Sequence, residues 1–246
     1  MRHLLLSILS FLLILPCSAQ TTSDSLVVKS SFKAGELILP LSLISAGALG
    51  FVDPVKEACV DFQGNVNRWC GDCRSIVVDD YLQYVPLASV YGLSLLGADA
   101  KHNHVDRTLE VGTACVALVG IVGVAKFLIQ KERPDGSDFD SFPSGHSAKV
   151  FMGAELVRIE YGEEYPWLAV GAYTIATATG ALRVYNNQHW LSDVIAGAGV
   201  GILSARIGYW MLPYTKRMMH RLTGWDVFVT PTASTEGAAL NAVVRF

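Results

Sequence analysis

LEVGTACVALVGIVGVAKFLIQKERPDGSDFDSFPSGHS, residues 109–147, decides the fold. Its first part, Leu109–Ile129, is apolar apart from Glu110 and Lys126. At the α-helical rise these 21 residues cross about 30 Å, the thickness of a bilayer core. Lys131 to Pro143 is polar and reads as a loop. Ala148–Tyr161 then reads as an amphipathic helix carrying Glu155, Arg158 and Glu160. The pattern is a long apolar helix, a polar loop and a second helix.

Outward from this stretch the same pattern repeats. Leu37–Val52, Tyr81–Leu96, Trp167–Leu182 and Leu191–Leu212 are apolar and of helical length, rich in Ala, Gly and Leu. The fold class is therefore an all-α helical bundle. Arg206 and the Glu155–Glu160 charges are costly in a membrane span, so a transmembrane bundle and a soluble or monotopic one both stay open, with the segment lengths favouring attachment. Leu37–Val52 is expected not to cross. Pro54 to Asp80 is read as a polar connection. Asp226–Thr230 and Ala242–Phe246 are β-prone and flank a turn, giving a hairpin-like tail.

Arg2 and His3, the apolar run Leu4–Pro16 and the small residues Cys17-Ser18-Ala19 read as an export signal cleaved after Ala19. A lipoprotein cysteine at Cys17 and an uncleaved anchor are the alternatives. The expected organisation is a signal over 1–19, a helical domain over 20–224 with its motif core at 81–212, and a tail over 225–246. Trp167 and Trp210 end apolar segments, as interfacial anchors or as core residues.

The chain has 246 residues, with 19 Lys plus Arg and 22 Asp plus Glu, a net charge of −3. That balance excludes a strongly basic nucleic-acid binder and an acidic tail protein. Apolar residues make up 51% and charged residues 17%, and mean hydropathy is +0.37, which excludes a disordered chain. Cys59, Cys70 and Cys73 are expected to share one structural disulfide in an oxidising compartment. A metal or redox role for Cys70-Gly71-Asp72-Cys73 is the weaker reading, and Cys115 reads as inert core.

Three motifs carry chemistry. Lys126 and Arg133 are seven residues apart, almost two helical turns, so both cations lie on one face before Pro134 ends the helix. In Pro143-Ser144-Gly145-His146-Ser147, Ser144 is an N-cap. Gly145 permits close approach to the backbone, the helix N-terminus attracts an anion, and His146 titrates near neutrality. In the third motif His189 and Asp193 stand at i and i+4, a spacing at which a carboxylate reaches an imidazole nitrogen and fixes its tautomer. Arg183 adds a fork for phosphate oxygens.

Together these motifs resemble the type 2 phosphatidic acid phosphatase and vanadium haloperoxidase superfamily, whose pattern is Lys-x6-Arg-Pro, Pro-Ser-Gly-His and Ser-Arg-x5-His-x3-Asp. The likeness covers Tyr81 to Leu212, with Leu182 standing where the family has serine. The resemblance implies that His189 is a nucleophile forming a phosphohistidine. Asp193 then orients it, and His146 protonates the leaving oxygen and activates water. Lys126, Arg133 and Arg183 would stabilise the phosphoryl oxygens, helped by Ser144 and Gly145. Three cations supply that charge without a metal, so no cofactor is expected.

Asp135, Asp138 and Asp140 read as a solvated acidic loop bridged to Lys131, a calcium site being the lesser alternative. Tyr185, Asn186 and Asn187 line the pocket mouth or form a turn. The expected activity is hydrolysis of a phosphomonoester or pyrophosphate of a lipid (phosphatidate, polyprenyl pyrophosphate or lipid A) at the periplasmic face of a bacterial envelope. No nucleic-acid partner and no obligate protein partner are expected. A soluble nonspecific acid phosphatase, a vanadate haloperoxidase and a non-catalytic lipid-phosphate binding protein are the alternatives.

Overall fold

The computed structural model describes residues 32–71, 76–223, 226–234 and 237–245; the expected signal over 1–19 lies outside them, as does Cys73. A 3-10 turn at Ala34–Leu37 leads into α1 (Ile38–Ala48), and a second at Leu49–Phe51 follows it. α2 (Asp53–Cys70) starts on Pro54, and α3 (Val78–Leu82) is a single turn before α4 (Val85–Leu95). Asn103 caps α5 (His104–Ile129) by accepting from the N–H groups of Val105 and Asp106. Ser144 caps α6 (Gly145–Tyr161), and Pro166 opens α7 (Pro166–Tyr185). α8 (Leu191–Thr223) holds Pro213 inside it. The tail forms the expected hairpin, with β1 (Asp226–Ser234) antiparallel to β2 (Gly237–Arg245) and Asp226 opposite Arg245.

The region expected as a polar connection is corrected: its first part is the helix α2. Val55, Cys59, Gln63, Val66 and Cys70 recur at helical spacing and form its less exposed face. Asp53 near its start and Arg68 near its end suit the helix dipole. Few of those positions are aliphatic, which hid the stripe. Cys59 and Cys70 are not joined to each other. Eleven residues of helix hold them about 16 Å apart, beyond disulfide reach.

Six helices alternate in direction. The end of α1 meets the start of α8 at Gly50 and Ser192, while Glu36 before α1 pairs with Arg206 far along α8. α4 leaves Asp79 and Asp80 at one end and reaches Arg107 at the other, through Ser94. α5 returns, α6 leaves from Ser144, α7 returns to Arg183, and α8 leaves from Asp193. One end of the bundle therefore collects the C-terminus of α5, the N-terminus of α6, the C-terminus of α7 and the N-terminus of α8.

α6 and α8 sit at the centre and need small residues to do so. A Cβ on Gly201 would collide with the Ala148 carbonyl of α6, and one on Gly199 would lie 2.6 Å from the Pro40 carbonyl of α1. Such close approaches are the usual contact between membrane helices. Ala148, Val150, Ala154, Leu156 and Val157 fill the space around α6.

The outer surface is apolar. Val116, Val119, Phe127 and Leu128 on α5 and Ile38 and Leu39 on α1 are exposed. Ala34–Phe51, His104–Ile129 and Leu191–Leu222 are long and apolar enough to cross a membrane. This is the surface of a membrane protein. α1 with its flanking 3-10 turns covers most of the Leu37–Val52 segment expected not to cross, is long and apolar enough to do so and packs along α8 as a member of the bundle. The charges that argued against insertion are paired inside it. Glu155 meets Arg158 and Arg206 and accepts from Tyr173 Oη, and Arg206 also reaches Glu36 at 3.1 Å. Trp210 Nε1 donates to Glu36, whereas Trp167 is exposed.

Candidate active site

Pro134 stops helix propagation after α5 and forces a tight loop. Arg133 N–H donates to the Asp138 carbonyl at 3.0 Å and Ser141 N–H to the Lys131 carbonyl at 2.9 Å. The loop folds its acids back on the two cations of the first motif. Asp140 lies 2.9 Å from Lys126 Nζ and 2.6 Å from Arg133 Nη2, and Asp138 lies 2.9 Å from Arg133 Nε. Burial alone would raise the Asp140 carboxyl, but hydrogen bonding to Asp138, Lys126 and Arg133 holds it well below the usual range. The expected bridge from this loop to Lys131 is corrected, since these carboxylates face Lys126 and Arg133 instead. Carboxylates already engaged by cations also make a poor calcium site.

Lys131 goes elsewhere. Its Nζ donates to Asp193 Oδ1 at 2.7 Å and to Ser192 Oγ at 3.0 Å. The second Asp193 oxygen accepts from Ser141 Oγ at 2.5 Å and from Trp190 N–H at 3.2 Å. The hydrogen bond expected between His189 and Asp193 is replaced by one between His189 Nδ1 and the Ser141 carbonyl, at 2.9 Å. The i,i+4 spacing assumed a helix through both residues, but α8 starts at Leu191. Asp193 is in its first turn, and its carboxylate turns back to cap the Trp190 N–H. Asp193 reaches His189 through Ser141, whose Oγ is 3.5 Å from Nδ1.

A carbonyl oxygen only accepts, so Nδ1 carries the proton and Nε2 keeps a lone pair. His189 is 1% exposed. Burial first, and then the charges of Arg183, Arg133 and Lys126, push its imidazole well below the ordinary histidine range. Those three cations thus lie close enough to His189 to act on its charge. Ser144 N–H donates to the Asp193 carbonyl at 3.0 Å, which locks the second motif to the third. A Cβ on Gly145 would meet nothing within 4 Å, so the backbone there is open to a ligand.

Sequence reasoning missed Asp79 and Asp80. Arg183 Nη1 donates to Asp79 Oδ2 at 2.7 Å and lies 3.6 Å from Asp80 Oδ1. The same Asp80 oxygen is 3.0 Å from His146 Nε2. α3 thus aims two adjacent carboxylates at the second and third motifs, although nothing in their local sequence marks them. Asn186 and Asn187 are turn anchors. Asn186 Nδ2 donates to Asp79 and to the Ile76 carbonyl, and Asn187 Oδ1 accepts from Gln63 and Asn67 of α2. Asn187 has φ +59°, a left-handed conformation asparagine tolerates.

All eight residues singled out from the sequence gather at this end. Residues 107–217 match the model of the PAP2 superfamily. That stretch is similar to the PAP2 superfamily. A lipid A 1-phosphatase of Porphyromonas gingivalis is 39% identical over 135 residues, which are 54% of this chain and 30% of that protein. A lipid A 1-phosphatase of Helicobacter pylori is 25% identical over 135 residues, 51% of this chain and 65% of its own length. The chain therefore spans less than two thirds of either relative. The crystal structure of Aquifex aeolicus LpxE is similar with a TM-score of 0.45 and 19% identity, covering 58% of this chain and 92% of its own. A Bacillus subtilis transmembrane PAP2-type phosphatidylglycerolphosphate phosphatase has a TM-score of 0.42 at 17% identity, covering 74% and 98% respectively.

Proposed function

We propose that this PAP2-like protein is a lipid phosphatase that removes a phosphate monoester from an envelope lipid, lipid A being the first candidate, through a phosphohistidine on His189. One observation carries the reading: a buried imidazole whose Nδ1 is held by a carbonyl, leaving the Nε2 lone pair at the end of the bundle that also gathers Lys126, Arg133 and Arg183. The substrate phosphate displaces Asp140 and Asp80 from the cations. Nε2 of His189 attacks phosphorus, and the P–O bond to the lipid breaks. His146 gives its proton to the departing alkoxide. His146 then takes a proton from water, the water oxygen attacks the phosphohistidine, and phosphate leaves with His189 restored. The guanidinium and ammonium groups neutralise the equatorial oxygens, which is most of what phosphoryl transfer asks of a protein. Names of the relatives support the choice of lipid A.

Phosphate release from detergent-dispersed lipid A, phosphatidate and polyprenyl pyrophosphate tests this, beside p-nitrophenyl phosphate. Turnover of lipid A well above the soluble ester supports the reading. Turnover of the soluble ester alone transfers the assignment to a nonspecific phosphatase.

The proposed site faces outward. The far end then lies inside with Lys101, Lys216, Arg217 and Arg221, in agreement with the positive-inside rule. Because α1 runs towards the site, its first residue also lies inside. A leader cleaved after Ala19 is then compatible with an outward site only where α1 does not cross. Ser137→Cys, in a background without native cysteines, is expected to react with an impermeant thiol reagent from the periplasm. Reaction only after inner-membrane lysis would reverse the orientation.

A further inference from the structure

The far end of the bundle holds a second cluster that the phosphatase chemistry does not use. His102 precedes α5, Glu110 lies in its second turn and Glu160 is near the end of α6. Glu160 is 14 residues beyond His146, about 21 Å along the helix. All three residues are buried, at 4%, 0% and 3% exposure. His102 Nδ1 is 2.6 Å from Glu160 Oε1 and 3.5 Å from Glu110 Oε2. One ligand atom from each residue lies within 4.8 Å of the others.

Glu160 accepts from the His102 backbone N–H at 3.1 Å and meets His102 Nδ1, but the nearby cations leave Glu110 without a hydrogen-bond partner. Arg107 Nη1 donates to the Val90 carbonyl, Ser94 Oγ and Tyr161 Oη, and Nη2 to the His102 carbonyl. Its Nε is 3.5 Å from Glu160 and makes no hydrogen bond. Lys101 pairs with Glu163 and Lys216 with Asp106. Both oxygens of Glu110 are buried without a hydrogen-bond donor. A buried carboxylate in that position is unfavourable unless a proton or a cation meets it.

We infer that His102, Glu110 and Glu160 form a binding site for a divalent first-row metal ion of the Zn²⁺ type. One imidazole and two carboxylates are ligands that Zn²⁺ accepts. At metal–ligand distances of about 2.1 Å, neighbouring donors of a tetrahedral shell stand about 3.4 Å apart. The His102–Glu110 spacing already matches, and the His102–Glu160 pair opens when the ion replaces the shared proton on Nδ1. The ion ties α5, α6 and the segment before α5 together. Its role is structural, and it is remote from the phosphate site.

Untagged protein in detergent, stripped with chelator and reloaded with Zn²⁺, is expected to hold about one ion per chain and to melt at a higher temperature than the stripped form. The isosteric Glu110→Gln and the His102→Gln proteins are expected to lose that ion and the shift. Replacing Cys59, Cys70 and Cys73 by serine is expected to leave both in place. Co²⁺ loaded into wild type is expected to give visible ligand-field bands without thiolate charge transfer. Stripped protein that stays folded is expected to hydrolyse substrate at the loaded rate, so failure of this inference and failure of the phosphatase reading are separate results. Wild type without ligand-field bands, or Zn²⁺ retained in full by folded Glu110→Gln, would overturn the site whatever the other variants do.

Discussion

The two ends of the bundle both concentrate charge, but they satisfy it differently. At the phosphate end Asp80 and Asp140 hold His146, Lys126 and Arg133, and their side chains are 55% and 47% exposed, while Arg183 is held chiefly by the buried Asp79. At the far end the side chains of His102, Glu110 and Glu160 are 1% exposed or less. Half-exposed partners are exchangeable, because water and an incoming anion compete for the same cations. Fully buried partners are fixed, because removing one leaves an uncompensated charge. The bundle is thus built to trade ligands at one end and to keep them at the other.

The sharpest way to break this contrast is to remove a cation from the exchanging end. Arg183→Ala is expected to lower kcat/KM for the lipid substrate about 10²–10³-fold, as loss of a transition-state charge donor does; steady-state phosphate release checks it. Ser141→Ala comes next. It deletes the hydroxyl between Asp193 and His189 but keeps the carbonyl that holds Nδ1, so kcat is expected to fall about 10-fold with KM little changed.

Acidity offers a third test. The proposed nucleophile must be neutral, and the folded protein lowers the His189 pKa below the ordinary value of about 6.5. Protonation is therefore deferred as pH falls, and the acid limb of kcat/KM, read on free enzyme, is expected below pH ~6.5. Arg183→Ala removes one of the charges that lower it, so the limb moves up. A wild-type limb above the ordinary histidine value would contradict the effect of burial and of these cations on His189. The smallest effect is expected from Asp140→Asn. Removing a carboxylate that competes with phosphate is expected to tighten inhibition by vanadate about 5-fold, the equivalent of ~1 kcal/mol. Weaker inhibition would show Asp140 positioning Lys126 and Arg133 rather than competing for them.

Much of this end was legible in the sequence, because its chemistry is written in side chains at short spacings. Lys126, Arg133, Ser144, His146, Arg183, His189 and Asp193 come together as the motifs imply, and the apolar lengths foretold the bundle. The contacts that orient His189 were not legible. Its partner is the backbone carbonyl of Ser141, and a carbonyl has no sequence signature. The i,i+4 rule also presumes a helix that begins only at Leu191. Asp79 and Asp80 reach the site from a helix far away in the chain, and Lys131 was assigned to the nearest acids rather than to Asp193. α2 escaped because its inward stripe mixes Gln63 and cysteines with valines.

The most direct test of the central claim is rapid acid quenching of turnover with substrate labelled at the phosphate. Wild-type protein is expected to carry a label that is acid-labile and base-stable, as a phosphohistidine is. The label should be absent from His189→Ala, which should also have lost turnover. An unlabelled wild type under single-turnover conditions, or a His189→Ala protein that releases phosphate at near the wild-type rate, would contradict it.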